Sequence, residues 1–229
     1  MSDSIHANHR ARVRARFIAE GLDGFADHQV LELLLFYCMP RKDTNELAHR
    51  MLNEYGGVAN LLNADIPGLQ KRLGISENTA ALIALIPQLS RWYAGVQRAA
   101  CNQELSTARA AYEYAAGLFV GRPRECLFCI CLNIKNRVLG ADMLTEGTVS
   151  KTAVFPRQIV ECALKYNAAA VILAHNHPSG DVSPSPSDRE VTRAANRALE
   201  PLEIRLLDHI IVGACNYYSF TEDGHGKCN

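Results

Sequence analysis

Residues 170–188, AVILAHNHPSGDVSPSPSD, gather the side chains best suited to chemistry in this 229-residue chain. His175 and His177 stand two apart at the end of an apolar run. In a strand, such residues project from the same face, so the two imidazoles lie side by side. Pro178 and Gly180 end the strand, and a polar loop follows. Ser185-x-x-Asp188 then has the spacing of a helix capping box. The first turn of that helix brings a carboxylate toward the imidazoles. Two histidine nitrogens and one carboxylate oxygen suit Zn²⁺ and leave a fourth position for water, the layout of a catalytic site. The plainer account of each residue is structural. A histidine at a strand end is usually satisfied by neighbours, and an Asp in a first helical turn is stabilised by the helix dipole alone.

Water activated by a metal needs a general base, normally a carboxylate. Glu125, Glu146 and Glu161 are the candidates. Ser185 is placed to donate to a developing oxyanion. Asp208 and His209 sit between apolar strand residues, either as a satisfied buried pair or as support for the metal ligands. Cys126, Cys129 and Cys131 read as buried thiols, since in a strand Cys126 points away from the other two. No HExxH pattern and no H-x-E with P-C-x-x-C is present. Their absence removes two rival zinc chemistries.

These residues require an α/β scaffold. ECLFCICLNIKNRVLGADMLTEG predicts two strands joined by a turn at Asn133–Asn136, and FPRQIVECALKYN predicts a helix. AAAVILAH predicts a buried strand, SPSDREVTRAANRALE a helix, and IRLLDHIIVG and NYYSF further strands. The first hundred residues carry helical periodicity only, in ADHQVLELLLFYC, TNELAHRMLNEYG and SENTAALIALIPQLSRWYAG, the last with Ser76 as N-cap. VQRAACNQELSTA reads as a linker, with Ser106 opening the next helix.

LLNADIPGLQKRLGISENTAALIALIPQL resembles a helix-hairpin-helix, with Gly74-Ile75-Ser76 as its turn, Ala80 at the small position and Lys71 and Arg72 just before it. That motif offers backbone amides to a phosphate. Ser76 stands where a second Gly is expected, and a packing hairpin with no ligand is an equal reading. His9, Arg10, Arg12, Arg14 and Arg16 form a basic stripe, read as a solvated helix face or a docking arm.

Composition bounds the rest. Hydrophobic residues make up 48% and charged residues 21%, which excludes a disordered or fibrous chain. Lys+Arg and Asp+Glu are both 24. Zero net charge disfavours nucleic-acid binding by bulk electrostatics. No apolar run is long enough for a membrane span, and the N-terminus lacks a secretory signal. The expected location is cytoplasmic, with the eight cysteines reduced.

His175-x-His177, seven residues, Ser185, two residues, Asp188 resembles the JAMM (MPN⁺) metalloprotease motif. HNHPSG, the upstream EGT and FPRQIV, and the downstream LLDHIIVG resemble the RadC (UPF0758) family, bacterial relatives of those enzymes. The likeness covers about residues 105–220. It implies a JAMM/MPN-type, cytidine deaminase-like α/β sandwich over 105–229, preceded by an all-helical, helix-hairpin-helix-like module over 1–100. It also implies zinc on His175, His177 and Asp188, the base just before the first strand on Glu125, and Ser185 beside the tetrahedral intermediate. The expected activity is hydrolysis of a peptide or isopeptide bond in an unknown substrate. The alternative is a DNA-associated repair or recombination accessory protein whose zinc site is structural or idle, with DNA held by the N-terminal module.

Overall fold

The computed structural model describes residues 2–40, 42–101, 103–147 and 156–227. Thr148 of EGT, Phe155 of FPRQIV and Cys228 lie outside them. The chain forms two compact units, Met1–Leu89 and Ser90–Asn229.

The first unit contains α1 (Ser2–Glu20), α2 (Asp27–Cys38), α3 (Asn45–Tyr55), α4 (Val58–Leu62), α5 (Ile66–Leu73) and the start of α6 (Glu77–Cys101). Leu31, Leu35, Met51, Leu61, Leu69, Leu73 and Ile83 meet in its core. The hairpin forms between α5 and α6. Gly74 caps α5 at φ +65°, a conformation glycine adopts without penalty. Ile75 and Ala80 are buried in the core rather than offered to a ligand. Ser76 accepts from Thr79 N–H at 3.3 Å, so one first-turn amide is already engaged. The basic stripe on α1 divides. His9 pairs with the buried Glu32 at 2.9 Å, Arg10 donates to the Met39 and Pro40 carbonyls at 2.7 and 2.9 Å, and Arg16 donates to the Gly24 carbonyl at 2.9 Å. Arg12 and Arg14 are exposed.

The second unit holds the end of α6, then α7 (Ala108–Phe119), β1 (Cys126–Leu132), β2 (Val138–Glu146), α8 (Pro156–Lys165), β3 (Ala170–Asn176), α9 (Pro186–Leu199), β4 (Arg205–Val212), β5 (Asn216–Ser219) and β6 (Gly224–Lys227). The strands form one sheet in the order β2-β1-β3-β4-β5-β6, in which only β3 and β4 are parallel. Helices cover both faces. Phe128, Ile130, Ile172 and Ile210 face α7. Leu127, Cys129, Val171 and Leu173 face α8 and α9. Burial on both sides explains the unbroken apolar runs of β1 and β3. This is the expected α/β sandwich behind N-terminal helices.

Two local expectations are corrected. The linker reading fails because α6 continues to Cys101, held in part by Arg91 donating to the Val120 carbonyl. The same segment's far end joins the α/β unit, where Leu105 is buried and its N–H donates to Asn136 O at 2.8 Å. Thr107, not Ser106, caps α7, accepting from Ala110 N–H at 3.1 Å. Ser106 donates to Glu104 instead.

Candidate metal centre

The candidate site lies where β3 ends. His175 projects from the face shared by Val171 and Leu173, toward α9. The loop past it turns through Gly180 at φ +82° and leads to Ser185, the N-cap of α9. That return delivers Asp188 to the two imidazoles. His175 Nε2 and His177 Nε2 are 3.0 Å apart. Asp188 Oδ1 is 3.4 Å from His175 Nε2, and Asp188 Oδ2 is 3.8 Å from His177 Nε2. The side chains of His175 and Asp188 are 1% and 3% exposed, whereas His177 is 16% exposed. The site therefore has one open edge, on the His177 side.

Both roles of Asp188 coexist. Its Oδ2 accepts from the Ser185 hydroxyl at 2.7 Å and from Ser185 N–H at 2.8 Å, while Oδ1 stays nearest His175. The capping box thus fixes the carboxylate's direction instead of diverting it. His177 Nδ1 donates to the Asp181 carbonyl, which leaves its Nε2 as an inward lone pair. Two ligand atoms each about 2.05 Å from one tetrahedral ion stand about 3.3 Å apart. The 3.0 and 3.4 Å separations bracket that spacing. The donor set fits a divalent ion taken by nitrogen and oxygen.

Glu125 is half-buried, and its carboxylate, the two imidazoles and Asp188 offer atoms within 4.8 Å of one another. β1 and β3 are antiparallel with Leu127 opposite His175. Continued two residues outward, that register sets 125 across from 177. Glu146 is exposed at the end of β2, and Glu161 pairs with Arg157 on α8 at 2.7 Å. Neither joins the group.

Sequence reasoning missed Asn176. Its amide oxygen accepts from Cys126 N–H at 2.8 Å and its amide nitrogen donates to Arg124 O at 3.0 Å. The residue between the histidines thus clamps the backbone on both sides of Glu125. Its position inside His-x-His was the only available signal. Asp208 and His209 separate in function. Asp208 accepts from Ser219, Thr221 N–H and His209 N–H. The His209 ring meets His175 Nδ1 at 2.8 Å and Thr192 at 2.7 Å.

A second group, Cys129, Cys131 and Cys162, also lies within 4.8 Å, deep in the α8 face of the core. Cys131 and Cys162 Sγ are 3.6 Å apart. Cys126 faces α7 with Phe128, as the alternation predicts.

Burial pushes His175 down to about 4 and His209 well below the ordinary histidine value, despite Asp188 raising the former. Below pH about 6.5 the unfolded chain takes up protons that the folded one refuses. Stability of the metal-free protein therefore falls as pH drops from 6.5 toward 4, by roughly 1 kcal/mol per pH unit for each histidine. Urea midpoints at pH 7.5 and 5 check this, and His175→Gln should make the fall shallower.

Residues 105–225 match the RadC-like JAB domain. The chain is similar to the UPF0758 protein of Fusobacterium nucleatum, 33% identical over 98% of this chain and 99% of that one. It is 36% identical to the UPF0758 protein of Janthinobacterium sp. (strain Marseille), over 93% of this chain and 95% of that one. The likeness to the relative from Burkholderia mallei is also 36%, over 92% and 76% of the two chains. Among the described residues no helix is long and apolar enough to cross a membrane.

Proposed function

This chain belongs to the RadC-like JAB domain family, and from that premise and the site's geometry we propose that it is a zinc hydrolase of peptide or isopeptide bonds. The observation that supports this reading most is the convergence of His175 Nε2, His177 Nε2 and Asp188 Oδ1 beside the Glu125 carboxylate, with one edge open. When bound, zinc supplies a water whose pKa is lowered toward about 7 and a Lewis acid for the scissile carbonyl.

The chain's own residues do the rest. His175, His177 and Asp188 hold the ion. Glu125, fixed through Asn176, takes the proton from the attacking water and returns it to the leaving amine. Ser185 steadies Asp188 in the resting site. With substrate bound, its hydroxyl proton turns from Asp188 Oδ2 toward the oxyanion.

The test is metal analysis of the purified protein followed by a substrate screen. One zinc per chain and hydrolysis of a peptide or isopeptide amide are expected. Zinc without hydrolysis of any amide, alongside salt-sensitive DNA binding, would favour the accessory-protein reading instead.

A further inference from the structure

The protons of the site can be counted outward from one hydroxyl. Thr192, on α9, has a single O–H, and it lies 2.6 Å from the Asp188 carbonyl oxygen. A carbonyl only accepts, so that proton is committed. Thr192 Oγ1 is also 2.7 Å from His209 Nδ1. With its own proton spent, the hydroxyl accepts there, and His209 must carry its proton on Nδ1. His209 is 1% exposed, and its ring lies against Phe220, with centroids 4.9 Å apart and planes 13° apart. No carboxylate oxygen contacts its ring among the described residues, so nothing there would offset the cost of a buried charge, and the ring is neutral. A neutral ring protonated on Nδ1 has a bare Nε2. That atom is 2.8 Å from His175 Nδ1 and accepts from it. His175 then keeps its own Nε2 as a lone pair, facing the equally bare Nε2 of His177 at 3.0 Å.

We infer that Thr192 is a positioning residue that selects the tautomer of His175 through His209, keeping His175 Nε2 free for an ion. Every hydrogen bond in the run points one way, from His175 through His209 and Thr192 to the Asp188 main chain. The run begins on one ligand, His175, and ends on the backbone of another, Asp188, so it also ties α9 to β3. The carbonyl link cannot reverse, and reversing either of the other two would put a proton on the very nitrogen that the ion needs. Outer partners of this kind change metal affinity about 10–100-fold when removed.

The consequence for affinity rests on the proposed metal site; the tautomer does not, and it is read without metal. Two-bond ¹⁵N–¹H correlations on zinc-free protein at pH 8 distinguish a ring protonated at Nδ1 from one protonated at Nε2. In the wild type, His175 and His209 are both expected in the Nδ1–H form, and a His175 found as Nε2–H overturns the inference whatever any variant does. Thr192→Val, close in shape but without an acceptor, should move both rings toward Nε2–H and weaken zinc affinity about 10–100-fold. Thr192→Ser should restore both readouts. A valine variant with unchanged tautomers, or with zinc affinity within twofold, also overturns it. A wild type with the expected tautomers but no zinc affinity would instead sink the metal reading and leave the relay standing.

Discussion

Alanine at position 177 should empty the site while leaving the fold intact. His177 sits at the exposed edge of the group; among the described residues its ring donates through Nδ1 to the Asp181 carbonyl, while its Nε2 only faces His175 Nε2 and Asp188. Its removal leaves two ligands, one of them already half-engaged by the capping box. Structural and catalytic zinc sites rarely persist on two protein ligands. Zinc content should fall from about one per chain to under a tenth. The stabilisation that zinc confers should vanish with it, about 2.7 kcal/mol where free zinc is 100 times its Kd. Zinc-free wild type and zinc-free His177→Ala should unfold at similar urea concentrations, because the lost carbonyl contact is exposed. Full zinc loading in the variant would place the ion elsewhere, and the three-thiol group would become the first place to look.

What the chain discloses in advance follows from the range of the interaction involved. β3 was legible because a strand covered on both faces must be apolar throughout. His175-x-His177 and Ser185-x-x-Asp188 were legible because both rest on fixed local periods. By residue type alone Glu125 was not separable from Glu146 and Glu161; only the family resemblance singled it out, and the antiparallel register of β1 and β3 then set it opposite the histidines. Thr192 gave no signal: a threonine within a helix is unremarkable, and its partner His209 lies 17 residues on. β6 lacks apolar alternation, and its pairing with β5 is read from the backbone ladder. Gly226 is there for room, since a Cβ would lie 2.1 Å from the Tyr217 ring. The two turns of α5 are too short for periodicity, and their end is marked only by Gly74.

Glu125→Gln separates holding the ion from using it. The amide keeps the side chain's size and the Asn176 clamp, which acts on backbone atoms of neighbouring residues. It cannot take a proton. If Glu125 is the base, zinc content stays near one per chain while kcat drops about 10²- to 10⁴-fold, the usual contribution of a positioned base. That corresponds to about 3–5 kcal/mol of barrier. Glu161→Gln, which breaks only an exposed pair with Arg157, should turn over normally. KM should move little in either variant, because neither group is asked to bind substrate in the ground state. Turnover within threefold of wild type would remove Glu125 from the proton path. Loss of zinc from the glutamine variant would make Glu125 a fourth ligand, closing the position that the proposed reaction reserves for water.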